Sequence, residues 1–429
     1  MDKWLPQLYR EYGLYSNYRN FPLDLDGLKP VERRVLLSAY KIARDKLVKS
    51  RQVDAYTIGH FHPHGECYGT IVQLVRQGFL DGQGNFGTTY GVEPIGPAAP
   101  RYTECKISKK TIDLAFKYVN YVEWHDTELN DTEPVFLPTK YPLCLLGKDY
   151  TQGIGFGFKT YVPCYTEEDL KRRLMWLLKI KKTRPIIAPI TDCDMLSSEK
   201  DLDDLLKSGK ARIEVRGKII PHPSQNKVVL KSWPPGRRFE AILNKFSDEL
   251  ESGMIGFTDM SVTSTEIVFE VLRERNREKI YTEFIEKLKE AVTGAIPFET
   301  IVSDIEGNIK VKSIDQMLLD TFHMFLEVNK NFVNENIKQI DVVIKEYKLL
   351  EKIKPYLVSS ITSGLTVKQT IEVIDELAEV PKEVTSGLIN KYKISKLLEL
   401  KTDTKELEDG LKIEKENLKN IDERTINQY

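Results

Sequence analysis

The sequence predicts an α+β chain divided among several domains, the last of them drawn out into a helical arm. Three observations carry this. At 429 residues the chain exceeds one ordinary core, and at roughly 100–200 residues per domain three domains are expected. Its middle alternates apolar and polar residues in short runs between glycines and prolines, the period of strands. From about 310 to 354 the period becomes that of a helix, with no proline before Pro355.

Composition narrows the class. A balance of 41% hydrophobic and 30% charged residues is that of a globular chain with long exposed helices. No run of eighteen apolar residues occurs, and Met1-Asp2-Lys3-Trp4-Leu5-Pro6 lacks the basic-then-apolar pattern of a secretory signal, so a cytoplasmic protein is expected. Five cysteines without a C-x-x-C pair make neither a disulfide framework nor a zinc ribbon. The net charge of −1 conceals segregation: Lys29 to Arg51 holds eight basic residues against Glu32 and Asp45, whereas Glu372 to Glu383 holds five acids and one lysine.

Taken in order, residues 4–20 carry tyrosines at 9, 12, 15 and 18 and read as an amphipathic helix stopped near Pro22. Asp26-Gly27 is a turn, and Pro30 suits the first position of the helix through Val35, Leu36 and Ala43. Thr57 to Gly65 reads as irregular. Tyr68 to Arg76 reads as a short helix closed by Gly78, and with the preceding helix it has the look of a helix-turn-helix. Gly82, Gly84 and Gly87 satisfy G-x-G-x-x-G, but Pro94, Pro97 and Pro100 follow where a dinucleotide site needs a helix, so that site is rejected.

Strands are expected at Val135–Leu137, Leu143–Leu146, Gly153–Phe158, Ile213–Ile220, Lys227–Leu230 and Glu266–Val271, with a helix over Glu167–Ile180. Glycine at alternate positions of 153–157 marks close approach by a backbone or ligand, or a buried edge. The helix from about 310 to 354 is expected to form an arm, with 404–425 pairing back antiparallel against it. Residues 356–400, broken by Gly364, Pro381 and Gly387, would form a knob; a plain helical bundle is the simpler alternative.

The chemistry is placed at Arg101-Tyr102, with His62-Pro63-His64-Gly65-Glu66 and Asp81-Gly82-Gln83-Gly84-Asn85-Phe86-Gly87-Thr88 upstream. By itself an arginine-tyrosine pair says little, since twenty tyrosines make such pairs expected. The surrounding motifs reverse that. Asp26-Gly27-Leu28-Lys29-Pro30-Val31 with Arg33-Arg34, the His-Pro-His-Gly turn, the glycine-rich segment, Arg101-Tyr102-Thr103-Glu104, Leu137-Pro138-Thr139-Lys140-Tyr141-Pro142 and Gly153-Ile154 stand in the order of the cleavage subunit of type IIA DNA topoisomerases. The chain resembles that family, the group of gyrase A and its topoisomerase IV counterpart, over nearly its whole length, and is most like phage medium subunits. It departs from the bacterial members after Gly65, where Glu66-Cys67-Tyr68-Gly69-Thr70 is shorter.

The resemblance implies a winged-helix (CAP-like) DNA-gate domain over 1–132, an α/β tower over 133–305 and an antiparallel coiled-coil arm with a helical exit-gate knob over 306–429, without a C-terminal β-pinwheel. It implies Tyr102 as nucleophile, Arg101 as its neighbouring cation, Arg19 as the arginine given across a homodimer to the partner's tyrosine, and His62 near the scissile phosphate. Lys29, Arg33, Arg34, His64, Gln83 and Asn85 are implied DNA contacts, and Ile154 the wedge between base pairs. Mg²⁺ and ATP are expected on a separate large subunit, since this chain shows no P-loop and no D-x-D supported by a glutamate motif, and the two chains would form a heterotetramer.

The residue types suit the task. A free tyrosine, with a pKa near 10, is phenolate about one time in a thousand at neutral pH, so cations beside the attacking oxygen or the pentacoordinate phosphate lower the barrier. Two rivals use other parts of the sequence. A metal-dependent nickase of the His-hydrophobe-His type would take His62 and His64 as ligands and a tyrosine as nucleophile on single strands, and a non-catalytic DNA-bridging dimer would keep the architecture without the chemistry. A zinc deaminase fails because Pro163-Cys164-Tyr165-Thr166-Glu167 lacks the second cysteine.

Overall fold

A computed structural model describes residues 4–89, 94–259, 266–272, 275–392 and 404–429. The chain forms two compact units, Met1–Phe325 and Leu326–Tyr429.

The first unit opens with α1 (Trp4–Asn20), as expected, but α1 is not packed as an amphipathic helix. Trp4, Leu5, Leu8, Tyr9, Tyr12 and Tyr15 are all exposed, and only Gly13 and Asn17 are buried. After the turn at Asp26-Gly27, α2 (Pro30–Ile42) starts on Pro30, whose fixed φ suits the position and whose missing N–H is not needed there. The Glu32 carboxylate caps the helix by accepting from the Lys29 N–H at 2.9 Å. Next come β1 (Val48–Lys49), α3 (Ser50–His60) and α4 (Tyr68–Gln77), the last closed by Gly78 in the left-handed region. Thr57–His60 is therefore helical, against the irregular reading. The face of α3 that is buried includes Val53, Asp54 and Thr57, two of them polar, and that hides the apolar period. Strands β2 (Leu80–Gln83) and β3 (Glu104–Ile107) complete an antiparallel sheet of order β1-β3-β2. Its core joins Val35, Leu36, Val53, Ile71, Leu74 and Ile107, all buried; each such side chain contributes about 1.5–3 kcal/mol by leaving water.

Two short strands follow, β4 (Trp124–Asp126) and β5 (Thr132–Pro134). Strand structure thus ends before Val135–Leu137, and Leu143–Leu145 is a 3-10 turn instead of a strand. The 153–158 run is a hairpin, β6 (Thr151–Gly155) and β7 (Phe158–Val162), turning at Phe156-Gly157. It lies at the edge of a five-stranded sheet of order β6-β7-β14-β9-β8, with β8 at Asp194–Met195, β9 at Lys210–Arg216 and β14 at Thr293–Glu299. A four-stranded sheet of order β10-β11-β13-β12 holds Ile219–His222, Lys227–Leu230, Ile267–Val271 and Ile255–Asp259 in that order, over Trp233, Phe269, Phe284 and Leu288. The run 213–220 is thereby divided between two sheets: Gly217 donates to the Val292 carbonyl and Lys218 to the Ser232 hydroxyl, which carries the chain from one to the other.

A helix of 49 residues, Ile314–Thr362, continues into the second unit and runs through Pro355, where the sequence pattern had placed its end. In that unit Lys348 pairs with Glu408 at 2.8 Å and Gln428 donates to Asn329 at 2.9 Å, so the C-terminal helices Lys405–Lys419 and Ile421–Ile426 return antiparallel. Leu418 and Ile421 pack with Leu326, Phe332 and Val333. Helices Val367–Ala378 and Lys382–Tyr392 enclose Ile353, Leu357, Ile374 and Leu388. Gly364 and Pro381 separate helices as expected, whereas Gly387 lies inside one. Part of the expected knob, 393–400, lies outside the described residues.

Candidate functional site

Tyr102 stands on the turn that leads into β3. Its side chain is 63% exposed, and the guanidinium of Arg101 lies over its ring, 4.6 Å from the centroid. The backbone beneath is fixed from several sides. Tyr102 N donates to the Ala99 carbonyl, Arg51 N to the Pro100 carbonyl and Ser50 N to the Thr103 carbonyl, so the first residues of α3 hold the turn. The buried Thr103 hydroxyl donates to Ser50 Oγ at 2.8 Å, and Tyr68 OH donates to the Ala98 carbonyl at 2.6 Å. From the other side comes Gly84, at φ +105°, where an added Cβ would lie 3.1 Å from the Tyr102 carbonyl oxygen. An exposed phenol thus projects from an anchored base.

A second group gathers Arg19, Arg34, His62 and His64. Arg34 is locked by a fork of bonds to the buried Glu133 carboxylate, Nε to Oε2 at 2.8 Å and Nη2 to Oε1 at 2.7 Å. Its remaining Nη1 lies 3.2 Å from His62 Nδ1. The His62 and His64 rings are 5.0 Å apart, edge to face, and His64 Nε2 meets Tyr15 OH of α1 at 2.8 Å. Arg19 covers the Tyr15 ring at 5.5 Å. Burial first, then the charges of Arg34, His64 and Arg19, push the His62 pKa down to about 4. His64 is lowered too, by burial and then by Arg19. Arg19 and Arg34, the latter paired with Glu133, thus stand beside two imidazoles that are both harder to protonate than usual. No hydrogen bond or ion pair joins this group to Tyr102 among the described residues.

Ile154 is 68% exposed on the β6-β7 hairpin. The hairpin is braced by α1 and by Lys29 at the start of α2. Phe156 lies edge-on to Tyr9 and Tyr12, Lys29 Nζ donates to the Gln152 carbonyl at 2.5 Å, and a Cβ on Gly153 would stand 2.2 Å from the Asn20 carbonyl. Of the alternate glycines, Gly153 therefore marks a backbone crossing, Gly155 makes room for the Phe21 ring, and Gly157 serves the turn with φ +87°. Gln83, at the end of β2, and Asn85 beyond it are exposed, and Asn85 Oδ1 accepts from Gly87 N at 2.7 Å to shape that segment.

One expected DNA contact is corrected. Arg33 is buried, and its Nε and Nη2 bond the equally buried Asp26 carboxylate at 2.7 and 3.2 Å. Burial works against its charge and Asp26 outweighs it, so the group stays protonated but faces the core. Sequence reasoning also passed over Glu133, Tyr15, Tyr68 and Ser50. Glu133 carries no local signal, because its partner is 99 residues away.

No group of three or more His, Cys, Asp or Glu side chains able to hold a metal occurs among the described residues. All five cysteines are free and buried. No described helix is long and apolar enough to cross a membrane.

Comparison with known proteins agrees in one direction. A family model for the DNA gyrase/topoisomerase IV A subunit matches residues 19–428. The DNA gyrase A protein of Mycolicibacterium smegmatis is 24% identical over 394 residues, which is 83% of this chain and 45% of that protein. That of Haemophilus influenzae is 30% identical over 271 residues, 57% of this chain and 30% of its own, and that of Campylobacter fetus 31% identical over 239 residues, 50% and 27%. The chain spans less than half the length of these curated relatives.

Proposed function

The chain belongs to the family of DNA gyrase/topoisomerase IV A proteins, whose members are type IIA DNA topoisomerases, and from that premise we propose that it is the cleavage and religation subunit of an ATP-dependent enzyme of this type. Tyr102 attacks a backbone phosphorus: the phenolic oxygen-phosphorus bond forms, the bond from phosphorus to the 3′ oxygen breaks, and the proton lost by the phenol is balanced by one gained at that 3′ oxygen. One phosphodiester replaces another, so the break reseals without external energy. Two such breaks open a duplex for strand passage, giving relaxation and decatenation.

The observation that carries the reading is the exposed Tyr102, with Arg101 over its ring, on a turn anchored to α3 and α4. Arg19, Arg34, His62 and His64 would bind the scissile phosphate. That no bond joins them to Tyr102 among the described residues of one chain suits a homodimer in which Arg19 serves the partner's tyrosine. Lys29, His64, Gln83 and Asn85 line the DNA path, and Ile154, bare on a braced hairpin, is the wedge.

The architecture supports the same reading. Helices α1 to α4 with the sheet of order β1-β3-β2 suit a winged-helix gate within 1–132, and the two larger sheets suit a tower within 133–305. The antiparallel helices of 306–429 suit a coiled-coil arm with an exit gate. There Val358, Val367 and Leu377 are 48, 48 and 62% exposed, apolar surface fit for a second copy. Mg²⁺ and ATP belong to the partner large subunit, with its ATPase and metal-binding domains, and the assembly is a heterotetramer acting on cytoplasmic DNA.

No observation favours the metal-dependent nickase: among the described residues no group of three or more His, Cys, Asp or Glu side chains gathers to hold a metal. The test is to combine the chain with its large subunit, Mg²⁺ and end-labelled duplex, stop with detergent, digest with protease and identify the residue on the 5′ end. A DNA-linked peptide containing Tyr102, absent in Tyr102→Phe, is expected. Cleavage that appears without the large subunit, or that persists in Tyr102→Phe, overturns the assignment and supports the nickase.

A further inference from the structure

We propose that Glu133 and Arg34 are positioning residues that fix His62 as the Nε2-protonated neutral imidazole, so that His62 meets the scissile phosphate as a hydrogen-bond donor and not as the base that takes the Tyr102 proton. This rests on the reading that His62 lies at that phosphate.

The argument is one of donors and acceptors. A guanidinium has five N–H groups and nothing with which to accept. Arg34 Nη1, 3.2 Å from His62 Nδ1, must therefore be the donor, and Nδ1 must hold its lone pair toward it. A neutral ring with Nδ1 accepting carries its hydrogen on Nε2. The guanidinium is not free to turn away, because Nε and Nη2 are committed to the Glu133 carboxylate, which is buried and also within 3.3 Å of His125 Nε2. Nε2 of His62 makes no protein hydrogen bond among the described residues, so its N–H is available to a ligand.

Protonating the ring would turn Nδ1–H against the Arg34 N–H and place a cation beside two others. The charged and titratable groups that face His62 are Arg34 from α2, Arg19 from α1, His64 from its own loop and Glu133 from β5. Three of the four disfavour an imidazolium, and the one anion is already forked to Arg34. The phenolic proton of Tyr102, on a side chain 63% exposed, passes to solvent.

The test uses the reconstituted holoenzyme with duplex DNA and Mg²⁺, scored by the single-turnover rate of covalent complex formation from pH 5.5 to 8.5. His62→Ala is expected to lose about 10²–10³-fold, the loss typical of a deleted donor at a developing charge. His62→Gln, which offers an amide N–H but no base, is expected to recover at least tenfold of that, with a pH profile parallel to the parent's. Glu133→Gln is expected to lose roughly tenfold in rate at unchanged DNA affinity, the range seen when an outer partner of a functional histidine is lost. Nitrogen-15 NMR of the histidine-labelled chain, which needs no variant to fold, is expected to show His62 protonated at Nε2 alone, and mixed tautomers in Glu133→Gln.

If His62→Gln is as slow as His62→Ala and abolishes a rising limb of the parent's profile, His62 is a base and the proposal is wrong. A spectrum showing His62 protonated at Nδ1 also overturns it. If His62→Ala cleaves at the parental rate, the underlying placement of His62 fails as well, an outcome distinguished from the first two by the rate alone.

Discussion

Replacing Arg33 by methionine separates a structural arginine from a DNA contact. The Asp26 carboxylate, fully buried, accepts four bonds: two from Arg33, one from Leu28 N at 3.0 Å and one from Leu137 N at 2.9 Å. Arg33→Met removes two of the four, and with them the cation paired to the carboxylate. Taking one partner from a buried pair costs about 3–5 kcal/mol, because the other charge stays in low dielectric, and the surviving backbone donors place the loss near 3. With an m-value of about 3 kcal/mol per molar urea, the unfolding midpoint falls by about 1 M. Asp26→Asn in the same chain should return part of it, since the uncompensated charge is gone. DNA binding is measured alongside as a function of salt. Each phosphate contact contributes about 0.9 to the slope of log affinity against log salt, and the slope of Arg33→Met is expected to equal the parent's. A slope lower by about 0.9 with an unchanged urea midpoint would refute the assignment and return Arg33 to the DNA.

Ile154→Ala removes apolar surface that is already in water, so stability should change by less than about 0.5 kcal/mol, while DNA bending by the assembled enzyme, read by end-to-end fluorescence transfer, should be lost or strongly reduced. The His62 pKa near 4 lies below the ordinary 6.5, so the unfolded chain takes up a proton first as pH falls. The stability it represents is complete above pH 6.5 and is lost progressively toward pH 4. Urea midpoints at about pH 7.5 and 5.0 should therefore fall further apart in the parent than in His62→Gln; equal gaps would contradict the shift.

Where local chemistry decides the backbone, the sequence was readable: Pro30 opens α2, Gly78 closes α4, and the apolar period through 314–347 yields the long helix. Pro355 misled because it removes only one hydrogen bond from a helix whose Ile353 and Leu357 are packed against Ile374 and Leu388 of the next two helices. Arg33 was expected at the DNA from the resemblance, but a helix shows one face to the core, and Arg33 falls on it with a carboxylate seven residues back. Tyr102, Arg101, His62 and Ile154 were legible as candidates through the order of motifs. Which of them touch was not: the Glu133-Arg34-His62 chain joins residues from three places in sequence, and no periodicity records that.

The anchored turn beneath Tyr102 has a further consequence for the return reaction. On the proposed mechanism the severed 5′ end is carried by a residue whose backbone is tied to Ser50, Arg51 and Tyr68 and closed over by Gly84, leaving little but side-chain rotation to the captured phosphate. The broken strand then behaves as an intramolecular reactant. Effective molarities of well-oriented groups reach about 10⁵–10⁸ M, so rejoining is fast whenever the 3′ hydroxyl is near. On that mechanism, how long a gate between two copies stays open would be governed by how far apart the copies are drawn, because each tyrosine would hand its strand back wherever its turn carries it.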